Sequence, residues 1–189
     1  MSAPMRVQTT TRGTTEGRIP LIALLFVQMF VGYEWLMSGV TKIVRGGFPS
    51  GLGDELAEKS VGAPHWYKSF LEGSIIPNAS TVGYLIEIGE VLVGIAMIAA
   101  ALVWLLRWER LPRGGRLTVL VMTMLASLAG IVMAVNFHFA NGASHPWLIP
   151  KDGFDEGVDL DSLLPMVQLV LIGVSVGYWR SLRSTKPIT

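Results

Sequence analysis

The chain has 189 residues, 51% of them hydrophobic and 15% charged, which is more apolar and less charged than an ordinary soluble domain. Its net charge of +1 is too small for a nucleic-acid-binding surface, and the lack of cysteine excludes disulfides, thiol relays, iron–sulfur clusters and Cys-ligated zinc. The composition predicts an integral membrane protein, in which any redox chemistry needs a borrowed cofactor.

Four apolar segments are long enough to cross a bilayer core, which requires about 20 helical residues. After a polar leader, they are predicted at about 19–40, 81–106, 117–139 and 160–182. The first lacks the small-residue cleavage site of a signal peptide, so we expect it to be retained as a helix. The sequence therefore predicts an all-α membrane protein: one four-transmembrane-helix bundle over 19–182, with tails at 1–18 and 183–189.

The distribution of lysine and arginine predicts the orientation of these helices. Ten of the 15 lie in the leader, between the second and third segments, or at and beyond the end of the fourth, and the other five lie among acidic residues in the first and third connections. Because basic residues favour the cytoplasmic side, we expect both tails to be cytoplasmic, in the inner membrane of a prokaryote. The long first and third connections then lie on the outer side.

The first outer connection, about 42–80, mixes leucine and aromatic residues with charged ones. This pattern predicts one or two short amphipathic helices at the membrane interface, which would cover the bundle. The alternative is an ordinary connector whose aromatic residues anchor at the level of the lipid headgroups.

Eight polar or ionisable side chains lie in or beside the apolar segments, all toward the outer end. They are Glu34, Lys42, Glu87, Glu90, Asn136, His138, Asp161 and Gln168. A charge near the centre of a membrane helix costs on the order of 3 kcal/mol, so such groups usually face the bundle interior and serve a function. The set predicts a polar site in the outer half of the bundle. The alternative is a hydrogen-bond and ion-pair network that fixes helix register.

Two carboxylates of this set, Glu87 and Glu90, are three residues apart and so occupy one helix face. In a medium of low dielectric constant they cannot both ionise cheaply unless a cation intervenes, and Lys42 and His138 are the candidate cations. Glu34 lies about two turns before Lys42 and deep in its segment. We expect Glu34 to handle protons.

Metal binding is not predicted. His65, His138 and His145 all fall on the outer side near aspartates, but their spacing is not that of metal ligands. The methionines of the helices are more typical of a deformable core than of a cofactor site, although an apolar ligand such as a quinone would suit them.

Two motifs resemble a known family. Residues 32–42, Gly-Tyr-Glu-Trp-Leu-Met-Ser-Gly-Val-Thr-Lys, resemble the opening helix of the DoxX family, which ends in Gly-x-x-Lys. Glu87 and Glu90, followed by Val-Leu-Val-Gly, are similar to its Glu-led second helix, and the similarity covers about 21–178. The segment 141–147 is closer to the DoxD-like branch, the large membrane subunit of thiosulfate:quinone oxidoreductase.

The resemblance implies a membrane subunit that passes electrons from a periplasmic sulfur compound to a quinone cofactor. Glu34, Glu87 or Glu90 would donate protons, while Lys42, His138 or Asn136 would stabilise the anionic quinone oxygen. Asn136, Gln168 and Trp35 are the candidate residues for binding this cofactor.

Two other classes of function remain open. The chain could be a non-catalytic membrane subunit that stabilises or docks onto a larger respiratory, photosynthetic or detoxifying complex, its outer aromatic residues facing other membrane subunits. A transporter or channel is the third reading, which four helices without inverted repeats support least. Nucleic acid is not expected as a partner in any of them.

Overall fold

A computed structural model describes residues 18–142 and 160–184, which are almost entirely helical and contain no strand. The helices are α1 (Arg18–Arg45), α2 (Phe48–Lys59), α3 (His65–Phe70), α4 (Ala79–Arg107), α5 (Arg113–Ala140) and α6 (Leu160–Ser184). Residues 1–17, 143–159 and 185–189, including His145 and most of the DoxD-like segment, lie outside the described part.

Four helices, α1, α4, α5 and α6, are long and apolar enough to cross a membrane. Each exposes large apolar side chains on its outward face, such as Phe30 on α1, Leu92 on α4, Leu125 on α5 and Leu169 on α6. Such a surface is compatible with a lipid environment. The prediction of an all-α protein with four membrane-length helices is confirmed over the described residues, which suggests a multi-pass membrane protein.

Neighbouring long helices run antiparallel. The helix α1 packs along α4, α4 along α5, and α5 along α6, whereas α1 and α6 contact each other only slightly. One contact marks the register of each helix pair: Gly32 faces Gly94 between α1 and α4, Gly89 faces Met133 between α4 and α5, and Gly130 faces Gln168 between α5 and α6. The bundle is therefore arranged up-down-up-down.

Glycines allow α1 and α4 to approach closely. A Cβ atom at Gly94 would lie 2.5 Å from the backbone N of Leu36 and 2.7 Å from the carbonyl O of Gly32. One at Gly39 would lie 2.8 Å from the carbonyl O of Glu87. Because only glycine leaves room for these backbone contacts, the two helices pack with their axes close together along this face.

The helix α1 extends beyond its predicted end near residue 40 as far as Arg45, so Lys42 lies on the helix. It stops at Gly46 and Gly47, whose φ values of +69° and +81° favour glycine. Pro49 then begins α2 against Gly83, where a Cβ atom would lie 2.5 Å from the proline Cα. The chain thereby folds back over the start of α4.

Residues 48–78, here named the cap, comprise α2, α3 and short 3₁₀- and π-helical turns. The buried face of α2 carries Leu52 and Leu56, and its other face is exposed and charged. Tyr67 of α3 is 4% exposed and donates a hydrogen bond of 3.0 Å to the carbonyl O of Asn136 on α5. The cap thus covers one end of the bundle, here named the capped end.

We expect Gly94→Ala to lower the free energy of unfolding by about 2 kcal/mol, because the new methyl group meets backbone atoms that cannot move aside. Gly173→Ala on α6 is the matched control, since nothing lies within 4 Å of a Cβ atom there. That control should be neutral or stabilising by up to about 1 kcal/mol, because alanine favours helix over glycine. Unfolding in detergent measures both. Equal effects would contradict the close helix contact.

Candidate functional site

An ion pair links α1 to α4 at the capped end. The ammonium Nζ of Lys42 lies 2.7 Å from both carboxylate oxygens of Glu90 and donates a further hydrogen bond of 2.7 Å to Ser38 Oγ. The Glu90 side chain is 0% exposed, whereas that of Lys42 keeps 23% exposure. Ser38 precedes Lys42 by one turn, so one face of α1 supplies both groups. Only the cation of the pair is therefore accessible from outside the bundle.

Aromatic rings surround this cation. Lys42 Nζ lies 5.3 Å from the ring centroid of Phe48 and 5.6 Å from that of Phe137, within the range of cation–π attraction. Trp35 is 2% exposed and packs against Phe137, with the two ring centroids 6.3 Å apart. The ammonium group is held between a buried carboxylate and aromatic faces.

The second carboxylate of α4, Glu87, lies beside the ion pair without joining it. Its side chain is 5% exposed and is near enough to Glu90 for their charges to interact. Within the described residues it forms no hydrogen bond or ion pair. The predicted neighbourhood of Lys42, Glu87 and Glu90 is thus present in the structure, with Glu90 as the direct partner of the lysine.

Lys42 faces an open cavity of about 300 Å³ between α1, the cap and the ends of α5 and α6. Its lining comprises Ser38, Lys42, Phe48, Leu52, Glu55, Leu56, Lys59, Phe137, Ala140, Asn141 and Asp161. The charged rim groups are themselves engaged: Lys59 lies 2.7 Å from Glu55, and Asn141 Nδ2 donates to Asp161 Oδ2 over 3.3 Å. The cavity combines a polar floor with partly aromatic walls.

A second cavity of about 190 Å³ lies beneath the cap, between α4 and α5. Its lining is almost wholly apolar, from Leu71, Ile75, Val82, Ile86, Val132 and Met133 among others, and it shares Leu52, Leu56, Phe137 and Ala140 with the first cavity. Its polar members are Tyr67 and Asn136, whose amide Nδ2 donates to the carbonyl O of Val132 at 2.7 Å. Asn136 therefore lines an apolar cavity next to the lysine.

Six predicted site residues line neither cavity: Trp35, Glu87 and Glu90, described above, and Glu34, His138 and Gln168. Glu34 is partly exposed and forms no hydrogen bond or ion pair with any described residue. His138 is 6% exposed and packs edge-on against Phe139, with ring centroids 5.7 Å apart. Gln168 is 0% exposed and packs against Gly130 deep between α5 and α6. A role for these residues in the chemistry stays a prediction.

The structure adds residues that the sequence analysis did not identify. Ser38 and Phe137 contact Lys42. The spacing of one helical turn between Ser38 and Lys42 could have indicated the serine, but no sequence signal indicates Phe137. Gln28 is 2% exposed, and its Nε2 donates to the carbonyl O of Met97 at 3.0 Å and to Thr123 Oγ1 at 3.2 Å. Gln28 therefore links α1 to α4 and α5. The sequence signal for this contact is a single amide side chain within an apolar segment.

Comparison of the chain with protein-family models, with curated proteins and with solved structures found no match. Among residues 18–142 and 160–184, no group of three or more His, Asp or Glu side chains is arranged to hold a metal ion. The ion pair and the two adjoining cavities contain Lys42, Glu90, Asn136 and Asp161 of the predicted site.

We expect Lys42→Met to lower the free energy of unfolding by about 3 kcal/mol, because it leaves Glu90 buried without its counter-charge. Replacing both residues by methionine should restore most of that loss, since no charge then remains buried. Lys59→Met, which breaks an exposed pair, should change stability by less than about 1 kcal/mol. Thermal and denaturant unfolding in detergent measure this cycle. Additive losses would show that the two charges are not coupled.

Proposed function

We propose that the protein is a quinone-binding membrane subunit of an oxidoreductase, as its resemblance to the DoxD-like subunit of thiosulfate:quinone oxidoreductase implies. One observation carries the proposal: Lys42, held 2.7 Å from the buried Glu90, lies on the floor of a cavity that adjoins an apolar one. A polar group beside an apolar chamber suits a ligand with a carbonyl headgroup and a hydrocarbon tail.

The size and lining of the two cavities support a quinone. Together they fall within the roughly 300–1,000 Å³ of small-molecule sites, which are mostly apolar with a few convergent polar groups. A quinone carbonyl would accept a hydrogen bond from Lys42 in place of Ser38 Oγ, and its ring would stack against Phe48 or Phe137. The tail would extend toward the apolar lining near Met133.

The chemistry of quinone reduction matches these groups. One quinone takes up two electrons and two protons to become a quinol. Two thiosulfate ions supply the electrons when they join through a new S–S bond to form tetrathionate. Lys42 would stabilise the negative charge that develops on the quinone oxygen. Protons would reach that oxygen through Lys42 from Glu90, which lies 2.7 Å from the ammonium group and whose charge interacts with that of Glu87.

Thiosulfate oxidation is assigned to a partner subunit rather than to this cavity. Lys42 is already paired with Glu90, Lys59 is paired with Glu55, and Asp161 adds a further acidic side chain at the rim. A dianion gains little in a cavity whose positive charges are neutralised. Electrons would therefore reach the quinone from outside this chain.

For the orientation, we propose that the capped end faces the outer side of a prokaryotic inner membrane, with both termini cytoplasmic. The opposite end supports this, because the end of α4, the connection that follows it and the first turn of α5 together carry Arg107, Arg110, Arg113 and Arg116.

A non-catalytic docking subunit is the second candidate, favoured by exposed apolar side chains on the cap. Val61 is 72% exposed and Trp66 is 63% exposed. A larger membrane complex could cover these side chains. In that case Lys42 and Glu90 would join α1 to α4 without binding a quinone.

We expect the purified protein to bind a short-tailed ubiquinone analogue, and Lys42→Met to weaken that binding at least tenfold because the carbonyl loses its hydrogen-bond donor. Lys59→Met is the matched control: it removes a lysine from the same cavity but not from its floor, so binding should change less than twofold. Calorimetric titration in detergent measures the affinities. A protein that binds no quinone, or loses binding equally in both variants, would refute the proposal.

Thiosulfate-dependent reduction separates the two candidates. In the complex extracted from its own membrane, we expect thiosulfate to reduce quinone, and Lys42→Met to abolish that reduction. Glu34→Gln in the same assay tests the predicted proton-handling residue. Quinone binding without thiosulfate-dependent reduction would contradict this electron donor, and the absence of both would leave the docking subunit.

A further inference from the structure

A third cavity lies at the end of the bundle opposite the cap. This cavity of about 320 Å³ lies between the start of α1 and the end of α4, remote from Lys42 along both helices. Its apolar wall includes Leu21, Ile22 and Leu25 of α1 and Leu105 of α4, and Arg107 and Arg110 lie at its polar end. From this arrangement we infer that the cavity binds an anionic phospholipid.

The two arginines are available to a ligand. Arg107 and Arg110 are exposed, and neither side chain forms a hydrogen bond or ion pair with any residue of the part that the structure describes. Glu109 contributes one negative charge to the described lining, which leaves a positive balance. A guanidinium group binds phosphate oxygens through paired hydrogen bonds, so two of them suit a phosphodiester.

The polar end of the cavity is fixed rather than loose. Arg116 donates from Nε to the carbonyl oxygens of Trp108 at 3.0 Å and Leu111 at 3.1 Å, and from Nη2 to that of Glu109 at 3.1 Å. Trp104 and Trp108 stack with centroids 4.3 Å apart. The turn that presents Arg110 is therefore held against a rigid aromatic wall of the cavity.

The combination of the two surfaces selects the ligand class. A free phosphate ion would use the arginines but not the apolar wall, and an acyl chain alone would use the wall but not the arginines. A zwitterionic phospholipid also carries a cationic ammonium group, which the arginines repel. Anionic headgroups bound by basic residues at the ends of membrane helices satisfy both surfaces at once. This inference depends on the helices crossing a bilayer, not on the quinone.

We expect delipidated protein in neutral detergent to bind phosphatidylglycerol more tightly than phosphatidylcholine. Native mass spectrometry counts the bound lipid, and the rise in unfolding temperature gives the apparent affinity. The double variant R107Q/R110Q should bind phosphatidylglycerol about thirty-fold more weakly, since each arginine contributes roughly fivefold. R45Q/K59Q removes two exposed basic residues at the capped end and should change binding less than twofold.

A second variant keeps the inference testable if the arginine variant does not fold. Leu105→Trp fills the apolar wall and leaves both arginines in place, and it should weaken phosphatidylglycerol binding about tenfold. Equal binding of the two lipids, equal weakening by the R45Q/K59Q control, or displacement by millimolar inorganic phosphate would each overturn the lipid site.

Discussion

The close contact between α1 and α4 is the constraint on which the candidate site depends. Gly32, Gly39 and Gly94 bring the two backbones together, and antiparallel packing then places the last turns of α1 beside the first turns of α4. At that separation the Lys42 side chain reaches both oxygens of Glu90 over 2.7 Å. A wider spacing would leave the carboxylate buried without a cation, which costs several kcal/mol. The ion pair can therefore form only if α1 and α4 pack this closely.

The two ends of the bundle differ in chemistry. At the capped end the two lysines that line the cavity are paired, Lys42 with Glu90 and Lys59 with Glu55. At the opposite end Arg107 and Arg110 remain exposed beside an apolar cavity. A small polar or amphiphilic molecule suits the first end, whereas an anionic phospholipid suits the second. Because the cavities share no residues, the two proposed ligands would bind independently.

The sequence predicts the four long helices well and the site less well, for physical reasons. Helix length and apolar content are local properties, so α4, α5 and α6 appear within a few residues of their predicted positions. The three-residue spacing of Glu87 and Glu90 indicates a shared face, but their partner depends on helix pairing, which spacing does not encode. Glu34 and Lys42 are on one helix, yet only the lysine faces Glu90. The apolar cavity exists only once the cap covers α4 and α5.

The energetics of the ion pair favour a functional role over a purely structural one. Burying a carboxylate and an ammonium costs about as much desolvation energy as their attraction returns, so apolar side chains of similar volume would hold α1 to α4 equally well. The geometry is also asymmetric: Glu90 is 0% exposed, whereas Lys42 keeps 23% exposure toward the cavity. Helix pairing alone does not require that asymmetry. The proposed ligand would use it, because an incoming oxygen would replace Ser38 at the ammonium group while Glu90 continues to balance the charge.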